Sequence, residues 1–111
     1  MDDNRYKKVE GLLFSYKSLP YKKKCLEIDL KIDPNNEAKI NELEKVTLTM
    51  NKIDSMLEMV RVDSESDYLI LKLWYIERMT WEQISSQLHM SISWLIKKRR
   101  EIIIDKLLMI V

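Results

Sequence analysis

Apolar positions near the start of the chain fall at Tyr6, Val9, Leu13 and Tyr16, in steps of three and four. That spacing puts them on one face of a helix. Pro20 follows Leu19, so this helix should end or kink near Ser18, which can itself cap a new turn. Leu26, Ile28, Leu30 and Ile32 alternate with charged residues, which is a strand period, yet they also form helical i,i+4 pairs. We favour helix, because a lone strand finds no partner elsewhere in the sequence. Asp33-Pro34-Asn35-Asn36 is the clearest loop.

The most regular stretch follows. Leu43, Val46, Met50, Ile53, Leu57 and Val60 form a heptad seam, so this helix should pack against another. A helix from Glu37 to Arg61 spans about 37 Å. Its partner is either the N-terminal helix, in a hairpin joined at Pro34, or a second copy of the chain. Residues 62–66 form a polar break in which Ser64 or Ser66 can cap the next helix, roughly Asp67 to Arg78. Tyr68 to Ile76 is apolar almost all round and therefore central. Thr80 and Gln83 have the spacing of a capping box. They open a short helix, Trp81 to Leu88, with Ile84 and Leu88 facing inward. His89-Met90 makes a turn, and Ser91 caps a last helix that carries Lys97, Lys98, Arg99 and Arg100.

Composition supports an all-α reading. Glycine occurs once and proline twice, too few turn formers for a sandwich or barrel of short strands. The expected architecture is an N-terminal helical hairpin over residues 1–62, then a trihelical helix-turn-helix unit over residues 63–111. The formal net charge is +1, which says nothing about nucleic acid, but the distribution is uneven. Residues 1–24 carry seven positive and three negative charges, residues 35–68 four and eight, and residues 69–111 seven and four. Basic ends flank an acidic middle, and local patches set the binding potential. Cys25 is the only cysteine, which excludes an intrachain disulfide and fits a cytoplasmic location. The first residues lack the apolar stretch of a signal peptide, and no run is long enough to span a membrane.

The chemistry-bearing stretch is the last third. Two short helices joined by a tight turn present the second to the DNA major groove. On this geometry the candidate DNA contacts are Thr80, Ser91, Ile92, Ser93, Trp94, Lys97, Lys98 and Arg100. The earlier residues would read base edges, and the run of cations would meet phosphates. Trp94 is suited either to a thymine methyl or to packing on the N-terminal helices. Periodicity alone favours a plain helical bundle with a solvated KKRR face over DNA binding. His89 has no metal-ligand neighbours at the right spacing. No phosphate loop, nucleophile motif or metal motif occurs, so neither an enzyme nor a cofactor is expected.

Tyr75, Thr80, Trp81, Glu82, Gln83, Ile84, Leu88, Met90 and Ser91 resemble the region-4 helix-turn-helix of sigma factors. They resemble still more the small phage regulators of the ArpU/RinA type. Tyr6 to Tyr16 is also similar to the opening of such proteins. The resemblance is strong over the last 45 residues or so and weak before them. It implies a transcriptional regulator of late phage or prophage genes that binds double-stranded promoter DNA and contacts RNA polymerase. Ile92 and Trp94 depart from the polar and exposed aromatic positions usual after the capping serine, and Arg99 stands where an apolar residue is usual. Two other readings remain open. One is a helical interaction protein that binds RNA polymerase or another protein, and the other is a small terminase-like DNA-packaging adaptor. The seam 43–60 and the apolar tail 102–111 are the expected surfaces for any homo-oligomer.

Overall fold

The computed structural model describes residues 3–110, and every element in them is helical. Helix α1 spans Asp3–Ser15, α2 Leu19–Ile32 and α3 Glu37–Asp63. Helix α4, Glu65–Leu71, runs on into a π-helical turn at Lys72–Ile76. Helices α5 (Trp81–Leu88) and α6 (Ile92–Ile102) follow. The chain closes with a second π turn, Ile103–Leu107, and a short 3-10 turn, Leu108–Ile110. No described helix is long and apolar enough to cross a membrane.

The break between α1 and α2 comes three residues before the point expected from Pro20. Ser18 holds the N-cap position of α2, but its hydroxyl donates back to the Ser15 carbonyl at 2.9 Å instead of capping. Pro20 sits in the first turn of α2, where its missing N–H removes no helical bond. Residues 26–32 are helical as favoured. The hairpin joined at residues 33–36 therefore pairs α2 with α3, not α1 with α3. Asn36 caps α3 by accepting from the Lys39 amide. Lys39–Asp29 at 3.0 Å and Lys22–Glu42 at 3.1 Å tie the two helices along their exposed edges. Such exposed pairs are worth little singly, and Leu26 is the buried anchor that α2 contributes.

The seam on α3 serves two partners within the chain. Val46, Ile53, Leu57 and Val60 are buried along it. The N-terminal half packs on α2, and the second half joins a larger core. That core unites Val9 and Leu13 of α1 with Ile53, Met56, Leu57 and Val60 of α3, then runs through Ile70, Leu71, Leu73, Tyr75, Ile84 and Leu95 to Ile102, Ile103 and Leu107. One buried cluster thus spans position 62, and α1 packs on the two π turns as well as on α3. The α2–α3 hairpin projects from it as an arm. The radius of gyration, 16.4 Å, exceeds the ~13 Å of a compact chain of this length.

A single residue, Ser64, separates α3 from α4, and its hydroxyl accepts from the Asp67 amide at 3.2 Å. Asp67 is itself buried and receives Lys106 at 2.7 Å. Asp63 also pairs with Lys106, and the two carboxylates hold its ammonium above the ordinary lysine range. The central helix ends at a π turn, where the Glu77 amide bonds the Lys72 carbonyl. Arg78 then takes a left-handed backbone, with φ 56°.

The turn between α5 and α6 is the second left-handed site. His89 has φ 58° and ψ 44°, and its amide bonds the Ser85 carbonyl at 2.9 Å. A Cβ in that conformation costs roughly 1–2 kcal/mol, which glycine avoids at some cost in chain entropy. His89 is exposed. His89→Gly is therefore expected to raise stability by about 0.5–1 kcal/mol, measured by urea unfolding. A loss of stability would show that the imidazole makes a contact of its own.

Candidate nucleic-acid interface

The helix-turn-helix is built from local signals. Thr80 Oγ1 accepts from the Gln83 amide at 3.2 Å, and Gln83 Oε1 accepts from the Thr80 amide at 2.9 Å, so the expected capping box is complete. Behind it, Trp81 stacks on Trp74 with centroids 4.1 Å apart. Ile84 is fully buried and fixes α5 on the core. Ser85 Oγ donates to the Met90 carbonyl at 2.6 Å, which tightens the turn. Three residues, His89 to Ser91, join α5 to α6. Ser91 accepts from the Trp94 amide at 3.2 Å and so starts α6.

The phase of α6 sorts its side chains. Leu95 and Ile102 are fully buried. On the opposite side Ser93, Lys97 and Arg100 form an exposed row, at the i, i+4, i+7 spacing of one helix face. Trp94 is 44% exposed and Ile96 39% exposed, one on each flank of that row. Ile92 is half-buried. Thr80 and Ser91 are exposed, with their hydroxyls engaged as caps.

The four-cation run does not act as one patch. Lys97 and Arg100 point outward, and Arg100 lies 5.6 Å from the Tyr6 ring centroid. Lys98 leans toward the start of α4, its ammonium 3.9 Å from Asp67. Arg99 turns inward, contrary to the expectation that all four cations meet phosphates. Its guanidinium lies 3.7 Å from Glu10 and 5.6–5.9 Å from the rings of Trp81 and Trp74. The physical reason is helical phase: Arg99 follows Leu95 by four and precedes Ile102 by three, on the core-facing stripe.

Arg99 belongs to a polar cluster that joins α1 to α6. Tyr75 Oη donates to Glu10 Oε2 at 2.6 Å. Burial first, then this bond to the carboxylate, pushes the Tyr75 phenol far above its ordinary range. Burial likewise raises Tyr6. Phe14 meets Tyr75 edge-on at 4.7 Å, and Arg78 caps the far end of α1, stacking 4.3 Å from Phe14 and donating to its carbonyl. Glu10 thus joins α1 both to Tyr75 in the first π turn and to Arg99 on α6. Glu10 and Asp67 are not legible as site residues in the sequence, because a single carboxylate in a charged helix carries no local mark of burial.

Glu10→Ala removes the acceptor of Tyr75 and the counter-charge of Arg99 together. It is expected to cost about 2 kcal/mol, below the 3–5 kcal/mol of a fully buried pair because Glu10 is partly solvated. Glu10→Gln keeps an acceptor for Tyr75 and should lose less. Equal losses in the two variants, by denaturant unfolding, would mean that packing and not hydrogen bonding holds this corner.

No protein-family model, curated protein or solved structure matches this chain.

Proposed function

We propose that this chain is a non-enzymatic, cytoplasmic transcriptional regulator that binds double-stranded DNA in a sequence-specific manner, with α6 in the major groove. One observation carries the reading. The α5-turn-α6 unit buries the inner face of α6 and leaves Ser93, Lys97 and Arg100 exposed along its outer face, with Trp94 on the flank. A helix so presented has the geometry of groove readers. Lys97 and Arg100 supply phosphate contacts, and Ser93 and Trp94 face base edges. The resemblance of residues 75–91 to ArpU/RinA-type regulators supports late phage or prophage genes as the targets and RNA polymerase as a second partner.

The test is binding of the purified protein to the DNA upstream of its own coding sequence and to a scrambled duplex, across a salt series. Tight, selective binding that weakens steeply with salt supports the reading. Equal, weak binding to both duplexes overturns it.

A protein-docking role is the second reading, and the arm favours it. Ile32 on α2 is 81% exposed and Val62 on α3 is 76% exposed, and Ile28, Ile40 and Leu48 are also open. Met109 in the tail is 80% exposed, whereas Ile102, Ile103 and Leu107 beside it are buried in the core. Where such apolar positions join into one contiguous patch, they mark a partner surface.

A further inference from the structure

We propose that α6 selects thymine through its C5-methyl groups, with Trp94 as the specificity-determining residue. The inference rests on the DNA-binding reading above and names the base chemistry that this site takes.

The three tryptophans separate cleanly. Trp74 and Trp81 stack on each other and pack on the core. Trp94 lies outside this stacked pair and is the most exposed of the three, at 44%. Close to half of its surface is open to solvent, in the first turn of α6. Ile96 is open on the other flank of the Ser93–Lys97–Arg100 row. Two large apolar side chains therefore border the polar row on the surface that faces outward. Uncovered apolar surface at a candidate interface is accounted for when the partner covers it.

The major groove offers one apolar group, the thymine methyl, and the other base edges there present hydrogen-bonding groups. Ser93 and Lys97 answer those polar edges. Trp94, two helical positions into the groove-facing half, lacks a polar group on most of its surface and answers the methyl. The bound sequence accordingly carries thymine at the position Trp94 covers.

The test uses a duplex selected by the full-length protein from a randomised pool. Each thymine is replaced singly by deoxyuridine, which deletes the methyl and nothing else. Binding is measured by fluorescence anisotropy with the natural chain, Trp94→Ala and Trp94→Phe. The natural chain should lose about four-fold in affinity at one or two thymines, the worth of one buried methyl. Trp94→Ala should bind thymine and deoxyuridine duplexes alike at those positions, and Trp94→Phe should keep part of the discrimination. The coupling between residue and methyl, not the loss in the variant alone, is the readout. Insensitivity of the natural chain to every replacement would overturn the proposal, as would an undiminished methyl effect in Trp94→Ala. If the pool yields no enriched sequence, DNA recognition itself fails, and the thymine assignment falls with it.

Discussion

Leu13→Ala is expected to destabilise the entire protein by about 3 kcal/mol, within the range for truncating a fully buried leucine. Leu13 has no exposed surface and lies in the same cluster as Ile53, Tyr75, Leu95 and Leu107. Deleting the three carbons beyond its Cβ removes apolar packing and leaves a cavity that α1, tied at both ends, cannot close. Arg5 bonds the Leu108 carbonyl at one end of α1, and Arg78 holds the Phe14 carbonyl at the other. The loss should therefore appear as a lower midpoint of one cooperative transition, with the denaturant slope unchanged. A fall of roughly 10–15 °C in melting temperature corresponds to it. The competing outcome is informative. If the C-terminal helices kept their own midpoint while α1 frayed, α1 would be an appendage and not part of the core. Far-UV circular dichroism and tryptophan fluorescence separate the two cases, because Trp74 and Trp81 report on the helix-turn-helix directly.

How far this arrangement was legible follows from how local each signal is. The capping box at Thr80–Gln83 and the caps at Ser64 and Ser91 need only residues three apart, and all are formed. The loop at residues 33–36 was equally plain, since proline and two asparagines punctuate any chain. Residues 26–32 satisfied two periods at once, and only the lack of a second strand decided for helix. The partner of α1 was not legible. Tyr6, Val9, Leu13 and Tyr16 declare an apolar face but not what covers it, and the heptad seam of α3 offered a plausible match. In the fold, α2 takes the N-terminal half of that seam, and α1 docks on the helix-turn-helix through Val9, Leu13 and the Glu10–Tyr75 bond. Such pairings are long-range and carry no mark in local spacing.

The candidate site shows the same division. Ser93, Trp94 and Lys97 were expected on the outer face of α6, and they are there. A run of four cations looks uniform when written as a string, yet adjacent helical residues point about 100° apart. Counting from Leu95 by four and seven places Arg99 and Ile102 on the buried stripe. That phase, applied to the cations, distinguishes Lys97 and Arg100 from Lys98 and Arg99. Arg99 then makes sense as the residue that exchanges an apolar contact for a charge-assisted link to α1.

This division sets the last expected result. Replacing Lys97 and Arg100 together by alanine should weaken DNA binding about 100-fold, roughly ten-fold for each charged group removed. The slope of log affinity against log salt should flatten by about 1.8, since each phosphate contact contributes about 0.9. Stability should fall by about 1 kcal/mol, because both side chains are exposed and the contact of Arg100 with Tyr6 is among the interactions lost. Arg99→Ala should do the reverse. It leaves Glu10 without its counter-charge and lowers stability by about 2 kcal/mol, with a salt slope equal to that of the natural chain. The pair of variants separates a residue that touches DNA from one that only positions the helix. Flattened slopes in both would mean that α6 rotates on binding and brings Arg99 outward. A natural slope in the double variant would move the phosphate contacts off α6 altogether, and the lysines of α1 and α2 would be the next to replace.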